Sequence, residues 1–418
     1  MSDTVVPAAP DGRAMPDFRS PEFLRGHIRD TLAFYAGRAV DASGGFFHFF
    51  RDDGTVYDRR TRHLVSSTRF VVVHALAARH FGSEPDRELV RHGLRFLHEA
   101  HRQPNGGYAW TLDWHEGRAT VADATNHCYG LAFVLLAHAH ALMAGVEEAR
   151  AGLDDTVALM ERRFWEPSAG LYADEADAGW QLSPYRGQNA NMHACEAMLA
   201  AHEATGEARH LQRALDLAQA VTQRLALCGG GLIWEHWRRQ GDGPWMIDWD
   251  YNRFDRSNIF RPWGFQVGHL TEWAKLLLQL LARLGDAAPA WLAETAPRWF
   301  DTALAHGWDA AHGGLVYGFG PDRSVCDGDK YHWVQAESLA AAAWLAVRLD
   351  DARYWGWYER LWAYVWRHFV DHEHGAWYRI LGADNRKLTD EKSPAGKTDY
   401  HDMGACWDVL RALGALER

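Results

Sequence analysis

The sequence predicts an all-α protein, an (α/α)6 barrel in which six outer helices surround six inner ones. Three features lead there: a short turn motif that recurs six times, an even spacing between its copies, and a pair of helical segments between successive turns. The turns read Gly44-Gly45-Phe46, Gly106-Gly107-Tyr108, Ala169-Gly170-Leu171, Gly230-Gly231-Leu232, Gly313-Gly314-Leu315 and His374-Gly375-Ala376. Copies follow one another at about 62 residues, and only the fourth unit is longer, by roughly 21 residues.

Each unit supplies one helix to each layer. The segments Pro21–Ala39, Asp86–Arg102, Glu147–Phe164, Glu207–Leu225, Ala288–His306 and Ala352–Phe369 are charged on one face and apolar on the other, which suits an outer layer. Alternating with them, Ser67–Phe81, Asn126–Met143, Asn189–Ala204, Gly264–Leu284, His332–Leu349 and His401–Leu413 are alanine-rich and apolar on nearly every side, the pattern of helices packed all round. Six such alternations suggest a closed ring. An open helical array is the alternative, but it needs polar capping units at its ends, and none is visible. The extra residues of the fourth unit fall in Trp234–Pro262, rich in Trp, Arg and Asp, and are expected to form a lid or a pocket wall. Residues 1–18 read as a disordered tail and residues 19–418 as a single barrel domain.

Composition removes several function classes. With 44 basic and 55 acidic residues the net charge is −11, a field that repels phosphate backbones and anionic lipid surfaces. No apolar run is long enough for a membrane span, and the N-terminal stretch has neither the basic start nor the apolar stretch of a signal peptide, so a cytoplasmic protein is expected. The 5 cysteines are scattered and form no CxxC pair, which argues against a disulfide framework or a zinc knuckle. No dinucleotide-binding glycine motif, P-loop or GxSxG elbow occurs. What is unusual is 24 His and 21 Trp, which fits either an aromatic-lined polar cavity or a tryptophan-rich core.

In a ring of helix pairs all inner helices start at one rim, so the polar residues at those starts converge whatever their distance in sequence. They include Arg69, His127, Asn189, His193, His269, Glu272, His332, Trp333, Glu337 and His401. His269 and Glu272 are three residues apart on one helical face, where the carboxylate can hold an imidazole tautomer; a histidine bonded to a backbone carbonyl would show the same spacing. Asn189 and His193, four apart, suit sugar hydroxyls or, equally, a structural network. Arg69 stands in an otherwise apolar helix and must face a carboxylate or a polar pocket. Asp248 and Asp250 resemble a paired-carboxylate hydrolase site, or bind the backbone of their own loop. His368, His372 and His374 mimic a metal spacing but straddle a helix end and a turn, and no metal is expected.

The strings Ser67-Thr-Arg-Phe70, Asn189-Ala-Asn-Met-His193, Gly268-His-Leu-Thr-Glu-Trp273, His332-Trp-Val-Gln-Ala-Glu337, Lys397-Thr-Asp-Tyr-His401 and Met403-Gly-Ala-Cys406 resemble the N-acylglucosamine 2-epimerase superfamily, over nearly the full chain from about Pro21. The Lys-Thr-Asp-Tyr-His string is closer to the branch of D-mannose and sulfoquinovose/mannose isomerases than to its 2-epimerases. The resemblance implies an (α/α)6 barrel that interconverts D-mannose and D-fructose, or D-lyxose and D-xylulose, without a cofactor. It further implies His269 and His401 as the acid/base pair, with Arg69, Asn189, His193, Glu272 and Trp333 around a small neutral monosaccharide. Tyr108 completes the candidate substrate-binding set, and His127 is left as structural. Sugar 2-epimerisation by the same histidine pair and, more distantly, glycoside hydrolysis are the alternative activities. A monomer or homodimer is expected.

Overall fold

Twelve helices alternate around a closed ring in the computed structural model, which describes residues 15–255, 258 and 260–416. In chain order they are α1 (Pro21–Tyr35), α2 (Leu64–Phe81), α3 (Glu84–Phe96), α4 (Cys128–Met143), α5 (Ala149–Arg163), α6 (Gln188–Thr205), α7 (Ala208–Gln219), α8 (Val267–Leu284), α9 (Trp291–Gly307), α10 (His332–Arg348), α11 (Ala352–His368) and α12 (Tyr400–Ala412). Odd helices are the outer layer and even ones the inner. Two outer helices run on through π-helical turns, α3 through Leu97–His101 and α7 through Ala220–Leu225. The expected segments and the observed helices agree to within a few residues throughout.

Local sequence sets the helix ends. Ser20 caps α1 by accepting the Phe23 N–H with Pro21 in the first turn, Ser83 caps α3 and Asp351 caps α11. Gly82 and Gly206 end α2 and α6 in the left-handed conformation. The inner helices bury nearly every side chain: in α10 the run Val334–Ala346 has no exposed residue, and in α8 Val267–Leu280 likewise. An apolar stretch without a polar face can only be satisfied by neighbours on all sides, and the ring supplies them.

The recurrent glycine turns close tight hairpins just after the outer helices, with bridges Val40 to Phe46, Arg102 to Tyr108, Trp308 to Leu315 and Val370 to Trp377. Each hairpin returns the chain to the rim, where a short strand leads into the next inner helix. These strands pair with their neighbours around the ring: residues 61–63 with 111–115, 126–127 with 175–176, 185–187 with 236–238, 265–266 with 318–319, and 330–331 with 380–381. The last pair, Phe50 opposite Ser393, joins the sixth unit to the first. With α12 packed on both α1 and α2, this closes the ring.

A repeated bond fixes each hairpin to the helix start inside it. The backbone N–H of Tyr108 donates to Asn126 Oδ1, that of Tyr172 to Asn191 Oδ1, that of Leu315 to Gln335 Oε1 and that of Trp377 to Asp399 Oδ1. Buried N–H groups left unpaired would cost about 1–3 kcal/mol each.

Of the expected disordered tail, residues 1–14 lie outside the described residues, and its end is corrected: Phe18 is buried, stacks on Trp362 with ring centroids 5.4 Å apart, and accepts the Tyr358 hydroxyl at 2.6 Å. Phe18 therefore belongs to the packed ring. Among the described residues no helix is long and apolar enough to cross a membrane.

Candidate active site

At the rim where the inner helices begin, a cavity of about 100 Å³ is lined by Arg69, Asn189, His193, His269, Glu272, Trp333 and His401, joined by Tyr129, Phe260, His332 and Lys397. Seven of the eight expected site residues thus meet in one place. Tyr108 does not. It is buried between helices, where its hydroxyl accepts from Arg102 at 3.3 Å, and it occupies the same hairpin position as Phe46, Leu171 and Leu315 in other units. Its place in the repeat makes it part of the frame.

The two principal histidines are held alike. His401 Nδ1 lies 2.7 Å from Glu337 Oε1, and His269 Nδ1 lies 2.9 Å from Glu235 Oε2. In each pair the Nδ1–H donates to the carboxylate, which leaves Nε2 as the basic nitrogen facing the cavity. Trp333 lies between the two imidazoles, its ring centroid 5.1 Å from that of His269 and 5.9 Å from that of His401. The close fit explains Gly268: a Cβ there would stand 2.3 Å from the Trp333 ring.

The expected partnership of His269 with Glu272 is corrected. Side chains in a first helical turn lean back toward the N-terminus, so His269 reaches over the rim to Glu235, whose Oε2 also accepts the Gln188 amide at 2.9 Å. Trp273 donates its indole N–H to Gln188 Oε1 at 2.8 Å and so steadies that amide. Glu272, one turn deeper, is buried with Oε2 unpartnered and Oε1 3.9 Å from His193 Nδ1. Burial first, and the neighbouring Glu337 next, push its pKa well above the ordinary glutamate value, which favours the protonated carboxyl, a hydrogen-bond donor, on the cavity floor.

Two further imidazoles are anchored in the same way. His193 Nδ1 sits 2.9 Å from Glu196 Oε2, and His332 Nδ1 sits 2.7 Å from Asp402 Oδ1. Burial, then Arg69, pull His401 down to about 3, and burial, then Lys397, hold His332 well below the ordinary histidine value. Both are neutral at physiological pH, which is the form a base requires.

Arg69 is sandwiched between the Phe133 and Tyr400 rings, 4.4 and 4.6 Å from their centroids, and bonds the Gly396 carbonyl. Its Nη2 reaches His401 Nε2 at 3.1 Å. A fixed cation thus stands at the basic nitrogen, next to wherever oxyanion charge would develop. Asn189 presents an unpartnered Oδ1, ready for a hydroxyl donor. From the long fourth-unit segment, Phe260 and Pro262 form part of the wall, as expected, while Trp234 and Trp237 enter the core. Asp248 and Asp250 lie away from the cavity, and Asp250 bonds Arg253 on the surface.

Glu272, Glu337 and His401 lie close enough together to hold a metal ion, as do His193, Glu196 and Glu272. In both groups the imidazole Nδ1 is already bonded, and Lys275 Nζ, 2.5 Å from Glu337, supplies a cation. Of the anchoring carboxylates, Glu337 stands among the rim residues expected from the sequence, whereas the partnerships of Glu196, Asp402 and Glu235 were hidden from it: Glu235 lies 34 residues from His269 and reaches it only through strand pairing at the rim.

Solved structures of a D-mannose isomerase and of cellobiose 2-epimerases superpose on this (α/α)6 ring. The chain matches the N-acylglucosamine 2-epimerase (GlcNAc 2-epimerase) family over residues 45–405 and belongs to it. Within that family it is 49% identical over 400 residues to a D-mannose isomerase of Marinomonas mediterranea, an alignment covering 95% of this chain and 99% of that one. It is 40% identical over 314 residues to a D-mannose isomerase of Thermobifida fusca, covering 74% and 75% of the two chains. A crystal structure of D-mannose isomerase superposes with a TM-score of 0.91 at 49% identity, over 95% of this chain and 100% of that one.

Proposed function

We propose that this protein is an aldose-ketose isomerase that interconverts D-mannose and D-fructose through a cis-enediol, with His401 and His269 sharing the proton transfers. The carrying observation is the pair of carboxylate-anchored imidazoles on either side of Trp333, in a chain similar over nearly its whole length to D-mannose isomerases.

The pyranose is first opened by proton transfer to its ring oxygen and from its anomeric hydroxyl, work suited to His269. His401 Nε2 then takes the proton from C2 as the C1 carbonyl oxygen gains one, giving the enediol, and returns its proton to C1 while O2 gives up its own to become the ketone. Arg69, held between the Phe133 and Tyr400 rings, presents its guanidinium to the oxygen on which charge builds, a contribution of about 3 to 4 kcal/mol for a well-placed donor. Glu272 and Asn189 hold sugar hydroxyls, and Trp333 supplies a flat apolar face. A base of this kind needs no redox or nucleotide group, so the reaction is cofactor-independent. The ring from Phe18 to Leu416 serves as one catalytic domain.

The test is a product assay with D-mannose in heavy water. Fructose as the main product is expected, with deuterium at its C1 and, through the reverse reaction, at C2 of the recovered mannose; glucose as the main product refutes isomerisation. In the same assay His269→Asn and His401→Asn are expected to lower kcat by about 10³-fold or more.

A further inference from the structure

Beneath the sugar cavity lies a second chamber of about 80 Å³ inside the inner helices, lined by Lys275, Glu337, Asp408, Glu196 and Tyr400. Lys275 does not line the sugar cavity; His401 and Glu272 do. Glu337 is the link between the two spaces. Its Oε1 accepts from His401 Nδ1 at 2.7 Å and its Oε2 from Lys275 Nζ at 2.5 Å. Lys275 is buried, with Asp408 as its other anion at 3.2 Å. Asp408 is in turn held by the Gln279 amide at 3.0 Å.

We infer that Lys275 is a positioning residue for the isomerisation: from below the cavity floor it holds Glu337 as an anion, and through Glu337 it keeps His401 with its proton on Nδ1 and its Nε2 lone pair toward the sugar. This rests on the reading of His401 as the proton carrier. The charge pattern makes the role specific. Around His401 stand Arg69 from α2, Glu196 and His193 from α6, Glu272 and Lys275 from α8, Glu337 and His332 from α10, and Asp402 and Asp408 on its own helix. Three of these carboxyls, Glu196, Glu272 and Glu337, crowd the same floor. Glu196 is paired by His193 and Tyr400, and Glu272, buried with Oε2 unpartnered, is pushed toward its protonated form. Glu337 remains, and Lys275 is the cation that reaches it. Without that cation Glu337 competes with the imidazole for a proton, and the net negative charge left on the floor favours imidazolium over the neutral base.

Lys275→Met is expected to lower kcat at neutral pH at least about tenfold with KM changed less than threefold, and to move the acid limb of kcat/KM up by about one pH unit. Because this variant leaves two buried anions uncompensated, the electroneutral Lys275→Met/Glu337→Gln double variant is made beside Glu337→Gln alone. If Lys275 acts through Glu337, adding the lysine change to Glu337→Gln costs less than about threefold in kcat. A folded Lys275→Met enzyme whose pH profile overlays that of the unmodified enzyme overturns the inference, as does a full additional loss in the double variant. Nitrogen-15 NMR of histidine-labelled protein, read without substrate across an acid titration, is expected to show His401 with Nδ1 protonated, and in Lys275→Met an imidazole that takes up its second proton about one pH unit higher; an unchanged tautomer and titration overturn the inference independently. Failure of the unmodified enzyme to make fructose rejects the isomerase reading, and the NMR result still decides the role of Lys275.

Discussion

Polar side chains at the inner-helix starts divide into two groups that do different work. Asn126, Asn191, Gln335 and Asp399 turn back into the wall and take the N–H of a neighbouring hairpin, the same bond four times over. Arg69, His193, His269, His332 and His401 face the lumen, and each has a different set of partners. What repeats is the frame; what breaks the repeat is the chemistry. The rule follows from symmetry: six equivalent units need six equivalent joints, but an asymmetric sugar needs a different group at each point around it.

The sharpest way to break this division is at the supports of the lumen group. Glu235→Gln leaves the rim packing in place but replaces the anionic acceptor of the His269 Nδ1–H by a neutral amide, and is expected to lower kcat about 100-fold with little change in KM, measured by steady-state kinetics on mannose. Activity near that of the unmodified enzyme would move Glu235 into the frame.

A second effect separates the groups by acid. The wall histidines His48, His63 and His101 are buried without a carboxylate partner; burial brings His63 to about 3 and His101 to about 4, and His48 well below its ordinary value. Their unfolded value is about 6.5. Above that pH neither state binds the proton. Below it the unfolded chain binds protons that the folded one refuses, so stability falls as pH drops from about 6.5 toward 4, with a limiting slope of about 1.4 kcal/mol per pH unit for each histidine. Thermal unfolding followed by circular dichroism is expected to show Tm falling steadily between pH 7 and pH 5, and a flat Tm there contradicts neutral burial of the wall histidines.

The smallest effect belongs to the frame alone. Asn126→Ala strips the Tyr108 N–H of its acceptor and is expected to cost about 1–3 kcal/mol in urea unfolding, with kcat and KM of the folded enzyme within twofold of the original. A kinetic defect instead would return Tyr108 and its neighbour to the substrate site.

Much of the fold was legible because the pattern is redundant. Six copies of the turn and twelve helical segments of two kinds each repeat the same message, so uncertainty at any helix end does not disturb the ring. The lumen residues were legible for a related reason: a helix start at the rim has one place to point, and seven of the eight residues expected at the cavity line it. Tyr108 failed because its sequence context is the repeated turn itself, which marks frame. Glu272 was placed correctly in the cavity but given the wrong partner, since spacing along one helix says nothing about a carboxylate arriving from another unit, as Glu235 does. Lys275 was invisible for the same reason: in sequence it is a lone lysine in a buried helix, and only the ring places it against Glu337 and Asp408.

The join between the sixth unit and the first sets the order in which the molecule can be made. Ser66 at the start of α2 takes the N–H of Gly396, 330 residues later. At about 5–20 residues per second, a ribosome that has finished Ser66 needs roughly 15 to 70 s to deliver its partner. For that interval the lumen side of α2 and the strand at residues 49–51 have no neighbour on one flank, so the apolar face that later encloses the sugar cavity is, during synthesis, a surface for chaperones to cover.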